Sequence, residues 1–543
     1  MSLKLVDLFA FFSVILRAGI LVFQSLVLGG AVFLVSVGTR SSNVSLECTA
    51  RIQESSWRLL RLSAIALAAA QFFYLYVNST VLMATAEIGM ADIVGANFFI
   101  AGSVILIAAL LMAFISTSKK YAHWELATLA VAIIGASVMT NHAASRLAGR
   151  AFLVTLSLLH ELAVGFWIGG LPFLMLALRS AKDLEARYCL AKRFSRLALL
   201  SVAVLVLSGA VMSVLYVQSW QGVFGTTYGV MVSAKVAMLA ALLVLGGVNY
   251  RLLRKSPNEK VLARLRRLIE AEAGIGLTVI LTAASLTSQT PAVDQLDQAV
   301  TFQRIFERLK PKLPRLKYEY VAEAGSTRRE PNTKTPVAVP SHARDVNGVL
   351  LSAYQINNAI ESESNHHWMG LVVLAMGLLA LLARTGTTWA EYWPLLLIGI
   401  TLFIFIQADT ECWPAGPQGF WACWAHPEDF QHRIAGLVCV GFAIFEARVR
   451  RRCKTDDPLA LVFPLMCAVG GAVLLTHSHA ISNVKENLLV ELNHIPMGIL
   501  AVFAGWTRWL ELRLPEGDRG IPSWIWPACF VLIGMGLLNY REM

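Results

Sequence analysis

The sequence predicts an all-α fold: a polytopic transmembrane helical bundle of about 14 spans, with both termini outside. Composition is the first reason. Of 543 residues, 56% are hydrophobic and only 15% charged, with mean hydropathy +0.61. A soluble globular chain carries about 25% charged residues. Run length is the second. Many apolar stretches have about 18–25 residues, enough to cross a bilayer as a helix. They show no period-two alternation, which argues against a β-barrel. In lipid the backbone must satisfy its own hydrogen bonds, which leaves helices.

The third reason is the charge of the loops. The spans fall near 7–37, 62–84, 92–115, 122–140, 151–178, 195–218, 229–250, 268–289, 367–383, 391–408, 431–448, 459–476, 494–510 and 523–540. Arg40, Arg51, Arg58 and Arg61 follow the first; Glu87 and Asp92, without Lys or Arg, follow the second. Lys119 and Lys120 follow the third, and Arg179, Lys182, Arg187, Lys192 and Arg193 follow the fifth. Arg251 to Arg267 supplies seven basic residues after the seventh, and Arg448 to Lys454 five after the eleventh. Intervening loops are mostly poor in Lys and Arg, 142–150 being a mild exception. Basic loops stay cytoplasmic, so both termini are expected outside. The net charge of +11 is thus an orientation signal, and no nucleic-acid partner is expected. The first span is too long, and lacks the cleavage pattern, to read as a signal peptide.

Four regions follow: four spans over 1–150, four over 151–290, a polar basic outer loop over 291–365, and six His-rich spans over 366–543. Long loops are largely exempt from the charge rule, so the basic outer loop is tolerable. No internal repeat is evident.

Ten of the eleven histidines fall on the expected outer side. His142, His160, His366, His367, His426, His432, His477, His479 and His494 lie at span ends or in outer loops, and His342 in the long loop. Only His123 falls inside. The bland explanation is that polar residues belong at interfaces. The competing one is an outward-facing metal or haem site, since neutral imidazole suits Cu, Zn, Fe and Ni. The candidate ligands are His160, His366, His367, His432, His477, His479 and His494. His477 and His479 share a side only on extended backbone. His366 and His367 are adjacent, so one of them is expected to ligate. Lys485, Glu486 and Glu491 read as the solvated face of a short interfacial helix. Met83, Met90, Met139 and Met212 lie near the outer boundary; thioether suits Cu(I), but Met is also ordinary core filler.

Cys412 and Cys423 share an outer loop, where a disulfide is permitted; the open alternatives are free thiols and a thiolate pair for copper. No C-x-x-C is present. Trp413, Trp421 and Trp424 read as interface anchors. No Walker loop, Ser/His/Asp triad, H-E-x-x-H or catalytic carboxylate pair stands out, so no enzymatic chemistry is expected.

From His160 the chain reads HELAVGFWIGGLPFL, then AKRFSRLALLSVAVLVLSGAV, then TTYGVMVSAKVAMLAALLVLGGVNYRLL, then EAEAGIGLTVILTAASLTSQTP. In content and order this resembles the copper resistance D (CopD) domain of bacterial inner-membrane proteins, over about 150–290. The six-span C-terminal block, with its HH, QHR, THSHA and NHIP elements, looks like the extension of longer members. The soluble copper-binding domain fused to some members is absent. The resemblance implies copper handling, with import across the inner (plasma) membrane, and matches His160, Trp167, Gly169, Gly170, Lys235 and Glu272. Copper, the bilayer and a periplasmic copper chaperone are the partners it suggests.

The residues themselves leave choices open. His160 is either satisfied by a neighbouring carbonyl or free to ligate. Gly165, Gly169 and Gly170 favour close helix packing over a ligand cradle. Lys235 must snorkel or find a partner, and could gate a cation. Glu272 is expected to pair with Arg266 or Arg267. Two functions compete with copper transport: a membrane protein holding haem b between paired imidazoles, such as His432 with His494 or His367 with His477, and a copper-delivery or assembly factor.

Overall fold

A computed structural model describes residues 3–37, 46–86, 88–118, 123–317, 352–408, 412–414, 416–425, 427–451, 457–476 and 484–542. Among these the regular elements are helical; the one extended pairing is an isolated bridge between Cys412 and Gln418. Among the described residues twelve helices are long and apolar enough to cross a membrane. Two more occupy expected span positions: Trp124–Val138 is apolar but shorter, and Pro427–Arg451 carries several charged residues. The chain is an all-α, multi-pass membrane protein.

Its residues gather into two compact units: Met1–Ala299 with Ala472–Ala480, and Val300–Gly471 with Ile481–Met543. The boundary expected at 150 falls inside the first. That unit contains α1 (Leu3–Val32), α2 (Leu46–Ala86), α3 (Asn97–Ser118), α4 (His123–Val138), α5 (Arg150–Val164), α6 (Leu171–Ser180), α7 (Leu184–Val217), α8 (Thr227–Leu253) and α9 (Glu259–Ser288). Local chemistry starts these helices where it should. Asp183, Thr226 and Asn258 cap α7, α8 and α9 by accepting from Ala186 N, Gly229 N and Lys260 N at 3.1, 3.1 and 2.8 Å, satisfying amides that have no partner inside the helix. With 41 residues, α2 is about 60 Å long at 1.5 Å per residue. That exceeds a hydrocarbon core of about 30 Å, and the excess carries Arg51, Arg58 and Arg61.

Helix α1 is the hub of this unit. It packs on α2, α4, α9 and the π-helical turn Gly165–Gly169 that joins α5 to α6. The crossing is a backbone contact. A Cβ on Gly169 would lie 1.9 Å from the Ser25 carbonyl oxygen, and one on Gly29 would lie 2.1 Å from the Gly169 carbonyl carbon. Phe33 packs on Phe173 beside it, ring centroids 6.1 Å apart. Only glycine permits this approach, so these glycines serve packing.

The second unit contains α10 (Phe302–Leu309), α11 (Ala353–Ala383), α12 (Leu396–Phe403), α13 (Pro427–Arg451), α14 (Val462–Thr476) up to Gly471, α15 (Val484–Arg513) and α16 (Gly520–Leu538). Part of the region expected as an outer loop is helical: α10 lies within it, and α11 begins at Ala353, well before the apolar run. The early turns of α11 are polar yet buried, Glu363 at 1% exposure and Ser364 at 0%. Helix α11 packs along α16, and α15 packs on α16. Trp393, Trp526, Phe463, Met376, Ala504 and Cys529 form a core. One polar hub adjoins it. Glu511 accepts from Arg384 Nη2 at 3.1 Å, Arg508 Nη1 at 2.6 Å and Trp526 Nε1 at 2.6 Å. Cys412 is disulfide-bonded; the Cys423 side chain lies outside the described ones. Trp413 and Trp421 are exposed.

Candidate metal-handling site

In the first unit, α5 and α7 bring His160 to Ser208, with Nδ1 and Oγ 3.1 Å apart. Ser208 Oγ itself donates to the Val204 carbonyl at 2.7 Å, so its oxygen is the acceptor in the first contact. That places the imidazole proton on Nδ1 and leaves the lone pair on Nε2, the arrangement in which a metal-ligating histidine is normally held. Lys235, from α8, lies near enough for its charge to act on His160. A small residue keeps the space open: a Cβ at Gly209 would stand 3.4 Å from the imidazole.

Seven residues after His160, about 10 Å along the helix at 1.5 Å per residue, comes Trp167. It is buried in the π turn, where the register of the helix changes. Its Nε1 donates to Glu272 Oε1 at 2.7 Å, and Asn249 Nδ2 donates to Glu272 Oε2 at 2.6 Å. The expected pairing of Glu272 with a basic neighbour is corrected here: Arg266 and Arg267 approach Glu270 instead, at 3.9 and 2.7 Å. Trp167, Asn249 and Glu272 line a cavity of about 200 Å³ with apolar residues of α6, α7, α8 and α9.

A third polar group joins α1 to α5. Gln24 Nε2 donates to Glu161 Oε2 at 2.9 Å, and Asn141 Nδ2 reaches Ser157 Oγ at 2.7 Å and Glu161 Oε1 at 3.5 Å. Nearby, His142 leaves Nε2 buried with no hydrogen-bond partner. Burial, and then the charge of Arg146, hold its pKa below the ordinary histidine value, so this imidazole is neutral near pH 7.

In the second unit, His366 of α11 and His494 of α15 face one another, ring centroids 6.4 Å apart. Tyr540 stacks on His366 at 3.8 Å. His366 Nδ1 lies 2.7 Å from the Ser362 carbonyl; a carbonyl only accepts, so the proton is on Nδ1 and the lone pair again on Nε2. Its neighbour is used differently. His367 Nδ1 lies 2.8 Å from Arg315 N, and its Nε2 contacts Arg541 Nη1. Both ring nitrogens of His367 are engaged, fastening the segment after α10 and the segment after α16 onto α11.

Residues 189–286 match the family model described as Copper resistance protein D. The copper transport protein CutJ of Bacillus subtilis (strain 168) is 30% identical over 156 residues, 28% of this chain and 28% of that protein; the match therefore spans just over a quarter of that relative. No solved structure matches.

The matched residues include Ser208, Lys235, Asn249 and Glu272, which His160 of α5 and Trp167 of the π turn approach. Of the expected ligands, the structure brings His366 and His494 together in the second unit; His160 belongs to the first. His477 and His479 lie outside the described residues, as do His342 and His426; His432 stands on α13, but its side chain is not described. Among the described residues no group of three or more His, Cys, Asp or Glu is arranged to hold a metal. Met83, Met90 and Met139 are exposed. Glu491 corrects another expectation: it is 6% exposed, a buried residue of α15 and no part of a solvated face. Sequence reasoning did not find Ser208 and Asn249 as partners, because each meets its histidine or carboxylate through the tertiary fold, 48 and 23 residues away.

Proposed function

We propose that the chain is a copper transporter of the bacterial inner membrane, binding copper at its outer face and passing it toward the cytoplasm. The match of 189–286 to the CopD family is the observation that carries this reading. The side-chain chemistry supports it. His160 and His366 each have Nδ1–H held by a protein acceptor and Nε2 left as a donor to metal, and imidazole is a good copper ligand. In this reading His366, His494, His432, His477 and His479 capture copper on the outer side, from a periplasmic chaperone or from solution. His367, with both nitrogens used, orients the C-terminal segment beside His366. His160 receives the ion within the CopD region, and Lys235 gates it by repulsion.

The test is copper uptake into proteoliposomes carrying an internal copper indicator. Wild-type protein should load the vesicles, and His160→Ala should slow loading at least about tenfold, the loss typical of a disturbed metal site. Equal loading of protein-free and wild-type vesicles would contradict the proposal. The facing pair His366 and His494, on separate helices, also admits a second reading, a haem b held by two axial imidazoles. A Soret band in the purified protein decides for it.

A further inference from the structure

Glu272 sits in α9 at 4% exposure, within a membrane-crossing helix. A carboxylate at that depth needs a compensating charge or a proton. Its two partners, the Trp167 indole and the Asn249 amide, are both neutral. Arg266 and Arg267 of its own helix turn to Glu270. Of the elements packed around it, the π turn presents Trp167, α7 presents Ser195, and α8 presents Asn249 and Tyr250; among the described residues Tyr250 is the one other titratable group lining the cavity. Among the described residues Glu272 meets the Trp167 indole and the Asn249 amide and forms no ion pair.

Asn249 supplies the second half of the argument. Its Nδ2 donates to Glu272, but its Oδ1 is buried with no hydrogen-bond partner. An unused acceptor beside a carboxyl group is what a carboxylic acid requires. Rotation of the amide by half a turn exchanges Nδ2 and Oδ1. In one orientation Asn249 donates to the carboxylate; in the other it accepts from the acid. Trp167 donates to Oε1 in both. The adjoining cavity of about 200 Å³ has room for the water that delivers or removes the proton.

We propose that Glu272 is a proton-binding site, loaded and unloaded through water in the cavity, with Asn249 as an amide that rotates to hold either protonation state. The carboxylate takes a proton from hydronium, forming O–H and leaving water; release reverses this. Trp167 and Asn249 are positioning residues. The transported cation passes within about 10 Å of helix rise, if it is held at His160, so the proton leaves as the cation arrives. That coupling rests on the copper-transport reading; the proton site does not.

The experiment has two arms. In the first, infrared difference spectra of the purified protein are taken between acid and alkaline pH, for wild type, Glu272→Gln and Asn249→Leu. A carboxylic-acid C=O band should titrate in wild type, vanish in Glu272→Gln, and remain but change frequency in Asn249→Leu. Spectra of wild type and Glu272→Gln that coincide overturn the proposal. Glu272→Asp guards against a misfolded glutamine variant: it keeps an acid, and a shifted titrating band should persist. In the second arm, copper loading of proteoliposomes is measured with and without an imposed pH gradient. Wild-type loading should respond to the gradient and Glu272→Gln loading should not. A response retained in Glu272→Gln overturns the coupling. If wild type loads no copper at all, the transport reading fails, and the infrared band still decides the proton site.

Discussion

Replacing Gly169 by alanine should unlock α1 from the π turn Gly165–Gly169. The added Cβ would stand 1.9 Å from the Ser25 carbonyl oxygen. Ordinary carbon–oxygen contacts are no shorter than about 3.3 Å, so α1 and the π turn must separate by about 1.4 Å. No rotamer change relieves this, because the obstructing atom is backbone. Overpacking of this kind costs about 1–3 kcal/mol, and a rigid backbone partner puts Gly169→Ala near the upper end, at about 3 kcal/mol. The control is Gly135→Ala in α4, where an added Cβ meets nothing within 4 Å. There alanine should be neutral or stabilising by about 0.5–1 kcal/mol through helix propensity. Thermal unfolding of both detergent-solubilised variants reads the difference. Gly29→Ala obstructs the same crossing, at 2.1 Å from the Gly169 carbonyl carbon, so the double variant should lose less than the sum of the two singles. A Gly169→Ala protein as stable as wild type would refute the backbone-contact argument.

Three further outcomes are expected. Ser208→Ala removes the acceptor that holds the His160 proton on Nδ1, and should weaken copper binding at His160 by about tenfold; an unchanged copper titration would detach Ser208 from the site. Glu511→Gln leaves Arg384 and Arg508 without their shared carboxylate and should destabilise the second unit by about 3 kcal/mol, read as earlier protease cleavage on heating; a wild-type profile would show the hub to be dispensable. The third concerns pH. His142 is held below the ordinary histidine pKa by burial, so the unfolded chain binds the proton more readily than the folded one. Its contribution is present above the unfolded value of about 6.5 and is lost as pH falls toward the folded value. His142→Gln should therefore flatten the fall in melting temperature on acidification, and identical slopes would contradict this.

The helices were legible because membrane insertion writes itself into local composition: each apolar run expected to span coincides with a helix. What hydropathy could not see is buried polarity. The start of α11 reads as loop because it contains Asn357, Glu361, Ser362, Glu363 and Ser364, yet Glu363 is buried and accepts from Glu542 N at 3.0 Å. Glu491 reads as solvated for the same reason. A charge signals solvent unless its partner is known, and the partner is supplied by a distant segment. The site shows the same division. Residue types were legible: His160, His366 and His494 stand out by their placement. Their states were not, because the proton on His160 depends on Ser208, 48 residues away, and the environment of Glu272 on Trp167, 105 residues away. The adjacent pair His366 and His367 differs only through the tertiary fold, which engages both nitrogens of His367.

The central claim is that the outer imidazoles of this protein bind copper. The most direct measurement is the metal content and visible spectrum of the purified, detergent-solubilised protein, compared with His366→Ala/His494→Ala and with His477→Ala/His479→Ala/His494→Ala. The account predicts stoichiometric copper in wild type, its loss in the variants, and no Soret band. Copper content unchanged in both variants, or a Soret band that disappears with His366 and His494, would contradict it.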